Sequence, residues 1–172
     1  MRRASESVTQ RELKTFVLTR ARGRTFHVTC IANVSSIIAD GAIRPRHQGG
    51  PASPFGNYET AYFPSRGLVS VFDFRHATTS QLDSGWCAGG PGTALGPCKN
   101  RLALFFLSTL AAERLEPWPD WDAQQGQMLV PYVESGHPGP IELDSIAELL
   151  ELTVSGDPSA HADAMLRGRG HA

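Results

Sequence analysis

The stretch FHVTCIANVSSIIADGAIRP, residues 26–45, predicts a strand, a short helix and a turn in immediate succession. Apolar and polar residues alternate from Phe26 to Cys30, as they do in a strand with one buried face. This alternation places His27 and Thr29 together on the face that is not part of the core.

Two signals bound the helix that follows this strand. Asn33 can cap its first turn, and Gly41 can end it with a left-handed residue. Between them, apolar residues recur at positions 34, 37 and 38, which is the spacing of one helix face.

The rest of the chain consists of short apolar segments separated by long loops. Strands are predicted at 58–63, 101–108, 127–133 and 150–154, and short helices at 109–114 and 145–149. Residues 67–74 fit either a strand or a helix. Loops rich in Gly and Pro are predicted at 44–57, 83–98, 117–126 and 135–140. We therefore predict a single α+β domain over residues 1–172, with a basic N-terminal arm or helix at 1–20 and a loose tail at 156–172.

Composition limits the class of protein. The chain has 172 residues, of which 41% are hydrophobic, enough for one domain with a buried core. No apolar run reaches the ~18 residues of a membrane helix, so we expect no membrane partner. The N-terminal MRRASESVTQRELK lacks the apolar core of a secretory signal, and the number of cysteines is odd. We therefore expect reduced thiols and a cytoplasmic location.

Charge is unevenly distributed along the chain. Residues 1–46 have a net charge of +6, and residues 102–172 have a net charge of −8. A basic N-terminal part can bind phosphate or nucleic acid. The alternative is that the two parts neutralise each other across the fold, which charge alone favours.

Several common sites are absent from the sequence. It contains no GxxxxGK[ST] loop, no GxGxxG after a strand and no GxSxG turn, which argues against P-loop, dinucleotide-binding and α/β-hydrolase enzymes. The spacings of Cys30, Cys87 and Cys98 include no compact C-x-x-C pair. We therefore predict that the cysteines are free, small apolar side chains and that there is no metal site.

The pair of His27 and Thr29 is the first candidate for function. If their shared face opens on a cleft, both side chains can hydrogen-bond one ligand, such as a ribose hydroxyl or a carboxamide. The alternative is a histidine that satisfies a neighbouring carbonyl group.

Four stretches of the chain, in order, resemble the DarT family, whose members are ADP-ribosyltransferases of the diphtheria-toxin-like His-Tyr-Glu class. The first is residues 26–45. The others are GNYETAYFPSRGLVSVFDF at 56–74, RLALFFLS at 101–108 and GQMLVP at 126–131. The family modifies bases of single-stranded DNA and acts as toxins, and the resemblance implies the same activity here, with a possible antitoxin partner.

The resemblance also implies a small split β-sheet that binds NAD in a cleft. In this interpretation His27 forms a hydrogen bond with the nicotinamide ribose. Tyr62 stacks on the nicotinamide, and Tyr58 is the second choice for this role. Thr29 lies near the carboxamide and Asn33 at the cleft edge. Arg46 binds the pyrophosphate, because a planar guanidinium suits anionic oxygens, and Arg44 is the second choice.

The resemblance implies that the base that accepts ADP-ribose is bound by a loop just before the strand that carries the catalytic glutamate. Trp118 and Trp121 lie in that loop and can stack an extruded base, or they can simply cover the sheet edge. Arg66 is a further candidate for contact with the substrate.

One departure from the family concerns the catalytic carboxylate. The GQMLVP stretch places Gln127 where the family has glutamate. A carboxylate stabilises the positive charge that develops on the ribose, which a neutral amide does less well. Three explanations stay open: an engineered substitution, a natural loss of transfer, or Glu134 as the carboxylate in place of Gln127.

Two other functions fit the same residues. One is an enzyme that uses NAD differently, such as an NAD glycohydrolase or a transferase acting on a small molecule. The other is a non-catalytic module that binds nucleotides or nucleic acid. Release of nicotinamide from NAD, with and without single-stranded DNA, separates the three.

Overall fold

The computed structural model describes residues 1–51, 53–55, 61–117, 130 and 132–156. These residues form strands of two to ten residues, most of them in one sheet. The strands are β1 Arg2–Thr9, β2 Thr25–Cys30, β3 Ala42–Ile43, β4 Leu68–Asp73, β5 Arg101–Leu107, β6 Glu134–Pro138, β7 Ile141–Glu142 and β8 Ile146–Ser155.

The helices are short. They are α1 Gln10–Ala21, α2 Val34–Asp40, α3 Tyr62–Ser65, α4 Thr79–Gly89 and α5 Thr109–Ala112. Single 3₁₀ turns occur at Ile31–Asn33, Arg46–Gln48, Pro91–Ala94 and Leu143–Ser145. Among the described segments, no helix has both the length and the apolar composition to cross a bilayer.

The main sheet has six strands in the order β1-β8-β5-β2-β4-β6. Only the outer pair of β1 and β8 is parallel, and every other neighbouring pair is antiparallel. The strands β3 and β7 form a separate two-stranded sheet. A mixed sheet with few short helices agrees with the expected α+β class.

Each face of the main sheet is covered by its own core. One face packs against α1 and α4 through residues that include Val17, Phe26 and Trp86. The other face packs against α2 and the small sheet, through residues that include Ile37, Phe105 and Ile141. The sheet is therefore the middle of three layers.

The strand β2 and the helix α2 are present as predicted, but the expectation that the face of His27 and Thr29 lies outside the core is wrong, because the second core covers it. Phe26 and Val28 are buried in the first core, while His27 pairs with Phe105 on the opposite face. Gly41 ends α2 with a φ of 73°, in the left-handed region that glycine adopts without strain. The strand predicted at 101–108 is present as β5.

Several local predictions are wrong. Residues 2–9 form a strand rather than an arm, because they pair with β8 far along the chain. Residues 79–89, partly predicted as loop, form a capped helix, and the turn predicted at 135–140 lies largely within β6. Residues 62–65 are helical, and of the helix predicted at 145–149, residues 146–149 begin β8 instead. Residues 157–172, most of the expected tail, lie outside the described residues.

Part of the N-terminal charge is neutralised within the fold. The carboxylate of Glu148 is almost fully buried and is bound by the guanidinium groups of Arg2, Arg20 and Arg24. Burial acts to raise the pKa of Glu148, but the hydrogen bonds from Arg2 and Arg24 outweigh it and hold this pKa below its usual value. The basic and acidic parts of the chain thus meet, as the charge distribution favoured.

A disulfide joins Cys30 at the end of β2 to Cys98, and their Cα atoms are 4.8 Å apart. Cys87 is free and exposed. The prediction of three reduced thiols is therefore wrong for two of them, because sequence spacing does not show which cysteines are neighbours in space. Reduced thiols were one of the reasons to expect a cytoplasmic location, and that reason no longer holds. The location stays a prediction.

The disulfide gives a direct test by alkylation. The unfolded protein should take up one alkyl group without reductant, at Cys87, and three after reduction, as counted by intact mass. Because the bond closes a loop across 68 positions, reduction should lower the free energy of unfolding by about 2–4 kcal/mol. Cys87→Ser is the control and should keep the full effect of the reductant. Three alkyl groups without reductant would contradict the pairing.

Candidate active site

The main sheet is split between β2 and β4. These strands pair only at one end, through Thr25 with Asp73 and Phe26 with Phe72. The rings of Phe26 and Phe72 stack there, with their centroids 5.4 Å apart. Continuing the same register would place Val28 opposite Ser70, but the pairing stops first. The split therefore has a closed end at the phenylalanines and an open end at the C-terminus of β2.

His27 lies where the split begins. Its Nδ1 is 2.9 Å from the carbonyl oxygen of Ser70 on β4. Since a carbonyl only accepts, Nδ1 carries the proton, and Nε2 of the neutral ring is an acceptor. Burial lowers the pKa of His27, against the opposing effect of the hydrogen bond to Ser70. The ring is therefore neutral at pH 7, with Nε2 ready to accept a hydrogen bond.

Glu134 begins β6, on the other side of β4. Its side chain is nearly buried, with the residue 9% exposed. The backbone N–H of Val130 donates to Oε2 over 2.7 Å, and the hydroxyl of Ser70 donates to Oε1. Burial raises the pKa of Glu134 above its usual value, although both hydrogen bonds oppose this. A buried carboxylate of this kind is typical of a functional site.

Ser70 is hydrogen-bonded to both His27 and Glu134. It was not identified from the sequence as a candidate site residue. Its carbonyl binds His27 and its hydroxyl binds Glu134. The register places Glu134 on the face of Phe72 and His27 on the opposite face. They therefore approach Ser70 from different sides of the sheet. The only signal in the sequence was a polar residue inside the apolar segment 68–72.

Tyr62 lies in α3, which precedes β4 at the open end of the split. Its neighbour Phe63 is fully buried over Gly136 of β6, where an added Cβ would lie 2.4 Å from the ring. Glycine at this position therefore allows α3 to pack on the strand that carries Glu134. The guanidinium of Arg66 lies 3.6 Å from the centre of the Tyr62 ring and covers one face of it.

Thr29 and Asn33 also lie at the open end, but they bond each other. The side-chain amide of Asn33 donates to the hydroxyl of Thr29 over 2.8 Å, and Thr29 is only 2% exposed. Asn33 therefore does not cap α2 with its side chain. Direct contact between Thr29 and a ligand is disfavoured, and Asn33 is the more accessible of the two.

The arginines predicted to bind pyrophosphate lie in a turn near this end. Arg46 is exposed in the turn Arg46–Gln48, while Arg44 is half-buried. The adjacent His47 packs against Gly67, which links the turn to the end of α3. This contact places the turn that contains Arg46 beside the residue that follows α3, the helix that begins at Tyr62.

Four predicted residues lie outside the described residues, namely Tyr58, Trp118, Trp121 and Gln127. Within the described part of the chain, no cluster of His, Cys, Asp and Glu is suited to hold a metal ion. A shallow groove of about 320 Å³ is lined by α4 and Tyr132, and it contains none of the predicted site residues.

Comparison with known proteins gave no match: no family model, no curated protein and no solved structure is significantly similar to this chain.

The raised pKa of Glu134 predicts how its replacement affects stability. An acid whose pKa is higher in the folded state stabilises the fold below its unfolded pKa, and this contribution is lost as pH rises through the folded value. In Glu134→Gln, the carbonyl can accept from Val130 and the amide can donate to Ser70, whose hydroxyl turns. This variant should therefore melt at a higher temperature than the wild type at pH 7–8 and show a smaller loss of stability above pH 4.5.

Calorimetry from pH 4 to pH 8 measures this effect, with roughly 2–4 °C expected for each kcal/mol in a protein of this size. The matched control is Glu142→Gln, an exposed glutamate of β7, which should follow the wild-type curve. If Glu134→Gln melts lower than the wild type across the whole range, the carboxylate is not destabilised by burial.

Proposed function

We propose that this protein is an NAD-dependent ADP-ribosyltransferase, with Glu134 as its catalytic carboxylate, that modifies a base of single-stranded DNA. The observation that carries the proposal is the buried carboxylate of Glu134, linked through Ser70 to the neutral imidazole of His27 across a split sheet. These groups lie on opposite faces of the sheet and both bond Ser70 at the edge of the split, so the proposal places the ligand in the split beside Ser70.

Within this proposal, each residue of the split has a defined task. NAD, when bound, supplies the bond between nicotinamide and ribose that is broken in the reaction. Nε2 of His27 accepts a hydrogen bond from a ribose hydroxyl. Glu134 stabilises the positive charge that develops on the ribose as this bond breaks, and it takes the proton that the attacking base loses. A pKa above the usual glutamate value makes Glu134 the better base.

The open end of the split suits the rest of a dinucleotide. The ring of Tyr62 has one face covered by Arg66, so the other face is the platform for nicotinamide. Arg46 is exposed and can pair with phosphate oxygens, for which a guanidinium fork is well shaped. Asn33 is a polar contact at the edge.

A nucleic-acid acceptor is supported by the charge that the fold leaves at the surface. The N-terminal part retains exposed arginines at positions 3, 11 and 22, beyond those that bind Glu148. Phosphate groups bind such surfaces independently of base sequence. Trp118 and Trp121 are proposed to stack the target base. Toxic modification of DNA would in turn call for an antitoxin partner that reverses or blocks it.

The test is release of nicotinamide from NAD, with and without single-stranded DNA, together with the mass of the DNA. We expect release and a mass increase of the DNA by one ADP-ribosyl group only when both are present. Glu134→Gln should lower this rate by about 10²–10³-fold, because a charged group that acts in the transition state is lost. Glu142→Gln is the control and should keep the wild-type rate.

The remaining outcomes separate the alternatives. Release without DNA supports an NAD glycohydrolase, and no release supports a binding module. Gln127→Glu should leave the rate unchanged, since Glu134 already supplies the carboxylate. If Gln127→Glu raises the rate while Glu134→Gln has no effect, Gln127 occupies the catalytic position and our assignment is wrong.

A separate prediction concerns Tyr62. If the ring acts as a platform, Tyr62→Phe should change the Kd for NAD less than twofold, whereas Tyr62→Ala should weaken binding by about 0.5–1.5 kcal/mol or more. Calorimetric titration with NAD measures both. Equal losses in the two variants would mean that the hydroxyl, rather than the ring face, contacts the ligand.

A further inference from the structure

We propose that Ser70 is a positioning residue that holds Glu134 and His27 in place across the split of the sheet; its catalytic meaning rests on the function proposed above. Ser70 belongs to β4, the strand between the one that carries His27 and the one that carries Glu134. It is the one residue of the described chain that is hydrogen-bonded to both.

The two bonds use different parts of Ser70. The carbonyl group accepts from Nδ1 of His27, and it belongs to the backbone, so any residue at this position retains it. The hydroxyl donates to Oε1 of Glu134, and it is lost in Ser70→Ala. Substitution at this position therefore removes the hydrogen bond to Glu134 while it keeps the one that orients His27.

The hydroxyl matters because Glu134 has few other partners. Among the described residues, only Ser70 and the backbone of Val130 donate to its carboxylate. A nearly buried carboxylate that loses one of two donors is less stable in its charged form, so its pKa rises.

The elements next to Glu134 carry other charged and titratable groups, and none of these is hydrogen-bonded to it among the described residues. On the neighbouring elements these groups are Tyr62 and Arg66 of the α3 segment, Asp73 with its partner Arg75 at the end of β4, Glu116 beside Gly136, and, on the opposite face of the sheet, His27 of β2 and His137 of β6. Asp73 is bound by the guanidinium of Arg75, and His137 by the carbonyl of Gly139. Within the described part of the chain, no hydrogen bond or ion pair joins these groups to Glu134, so we expect the loss of the Ser70 hydroxyl to have the largest effect on its carboxylate.

The first experiment follows ionisation directly and needs no catalytic activity. Carbon-13 NMR of the glutamate δ-carbons gives the titration midpoint of Glu134, with its signal assigned by comparison with Glu134→Gln. Ser70→Ala should raise this midpoint, and Ser70→Thr, which retains a hydroxyl, should restore it towards the wild-type value. Nitrogen-15 spectra should show Nδ1 of His27 still protonated in both variants, because the carbonyl acceptor is unchanged.

A matched control is Ser135→Ala. Ser135 is a buried serine, whereas Ser70 is half-buried; Ser135 follows Glu134 on β6 and points to the opposite face of the strand. Its replacement should leave the Glu134 midpoint unchanged. Should Ser70→Ala not fold, Ser70→Cys gives the same test, since a thiol has nearly the size of the hydroxyl but is a weak donor.

The second experiment measures NAD turnover. Ser70→Ala should lower kcat by roughly 10-fold or more, with little change in the KM for NAD. The acid limb of its pH profile should move to higher pH, because a higher pKa leaves less carboxylate at a given pH. Ser70→Thr should recover both kcat and the limb. A purely structural role would lower stability without moving the limb.

The outcomes distinguish this proposal from the proposed function. The role of Ser70 would be overturned if the titration midpoint of Glu134 were the same in Ser70→Ala as in the wild type. Where Ser70→Cys replaces Ser70→Ala, the same comparison applies to it. A shifted midpoint in a protein that never cleaves NAD would keep Ser70 as the group that positions Glu134 and would refute ADP-ribosyl transfer.

Discussion

The hydrogen bond from the His27 imidazole to the Ser70 carbonyl takes the place of a backbone hydrogen bond between the neighbouring strands β2 and β4. β2 and β4 pair through Phe26 and Phe72 and then part, and the carbonyl that faces the gap is satisfied by a side chain instead of a backbone N–H. A buried carbonyl without a partner would be costly, so the ring allows the sheet to open without that loss. The candidate site depends on this opening.

Two buried glutamates on the same face of the sheet illustrate how partners decide ionisation. Glu148 lies opposite Phe106, and Glu134 lies opposite Phe72, in one row across the strands. Arginine side chains hold the pKa of Glu148 below its usual value, whereas Glu134 is bound by a hydroxyl and a backbone amide, and burial raises its pKa. Full charges stabilise the first carboxylate, and neutral donors only partly compensate the second.

In the proposed function, this difference separates a structural carboxylate from a catalytic one. The carboxylate of Glu148 fastens β1 and α1 to β8, because its three arginine partners come from the N-terminal part of the chain. The carboxylate of Glu134 has no arginine partner among the described residues. Its raised pKa means that its charged form lowers the stability of the fold. Groups held at such a cost are concentrated where proteins bind or transform a ligand.

Sequence reasoning succeeded where a local pattern carried the information. The alternation around His27 and the glycine at position 41 were enough to predict β2 and the end of α2, because side-chain direction and positive φ are properties of a few neighbouring residues. It failed for β1, whose polar residues show no buried face and whose partner strand lies at the other end of the chain. The resemblance to an ADP-ribosyltransferase supplied the candidates at positions 27, 62 and 127, with Glu134 only as an alternative carboxylate, and it did not supply their mutual arrangement.

By itself, the sequence determined that an amphipathic strand presents His27 and Thr29 on one face, before a helix that ends at Gly41. Tertiary structure decided which of these polar groups stay accessible: Thr29 is bonded by Asn33 and buried, while His27 reaches across to β4. It also decided that Ser70 stands between His27 and Glu134, and that Cys30 meets Cys98. The physical reason is that burial and pairing depend on strands far apart in the chain, whose register no local pattern encodes.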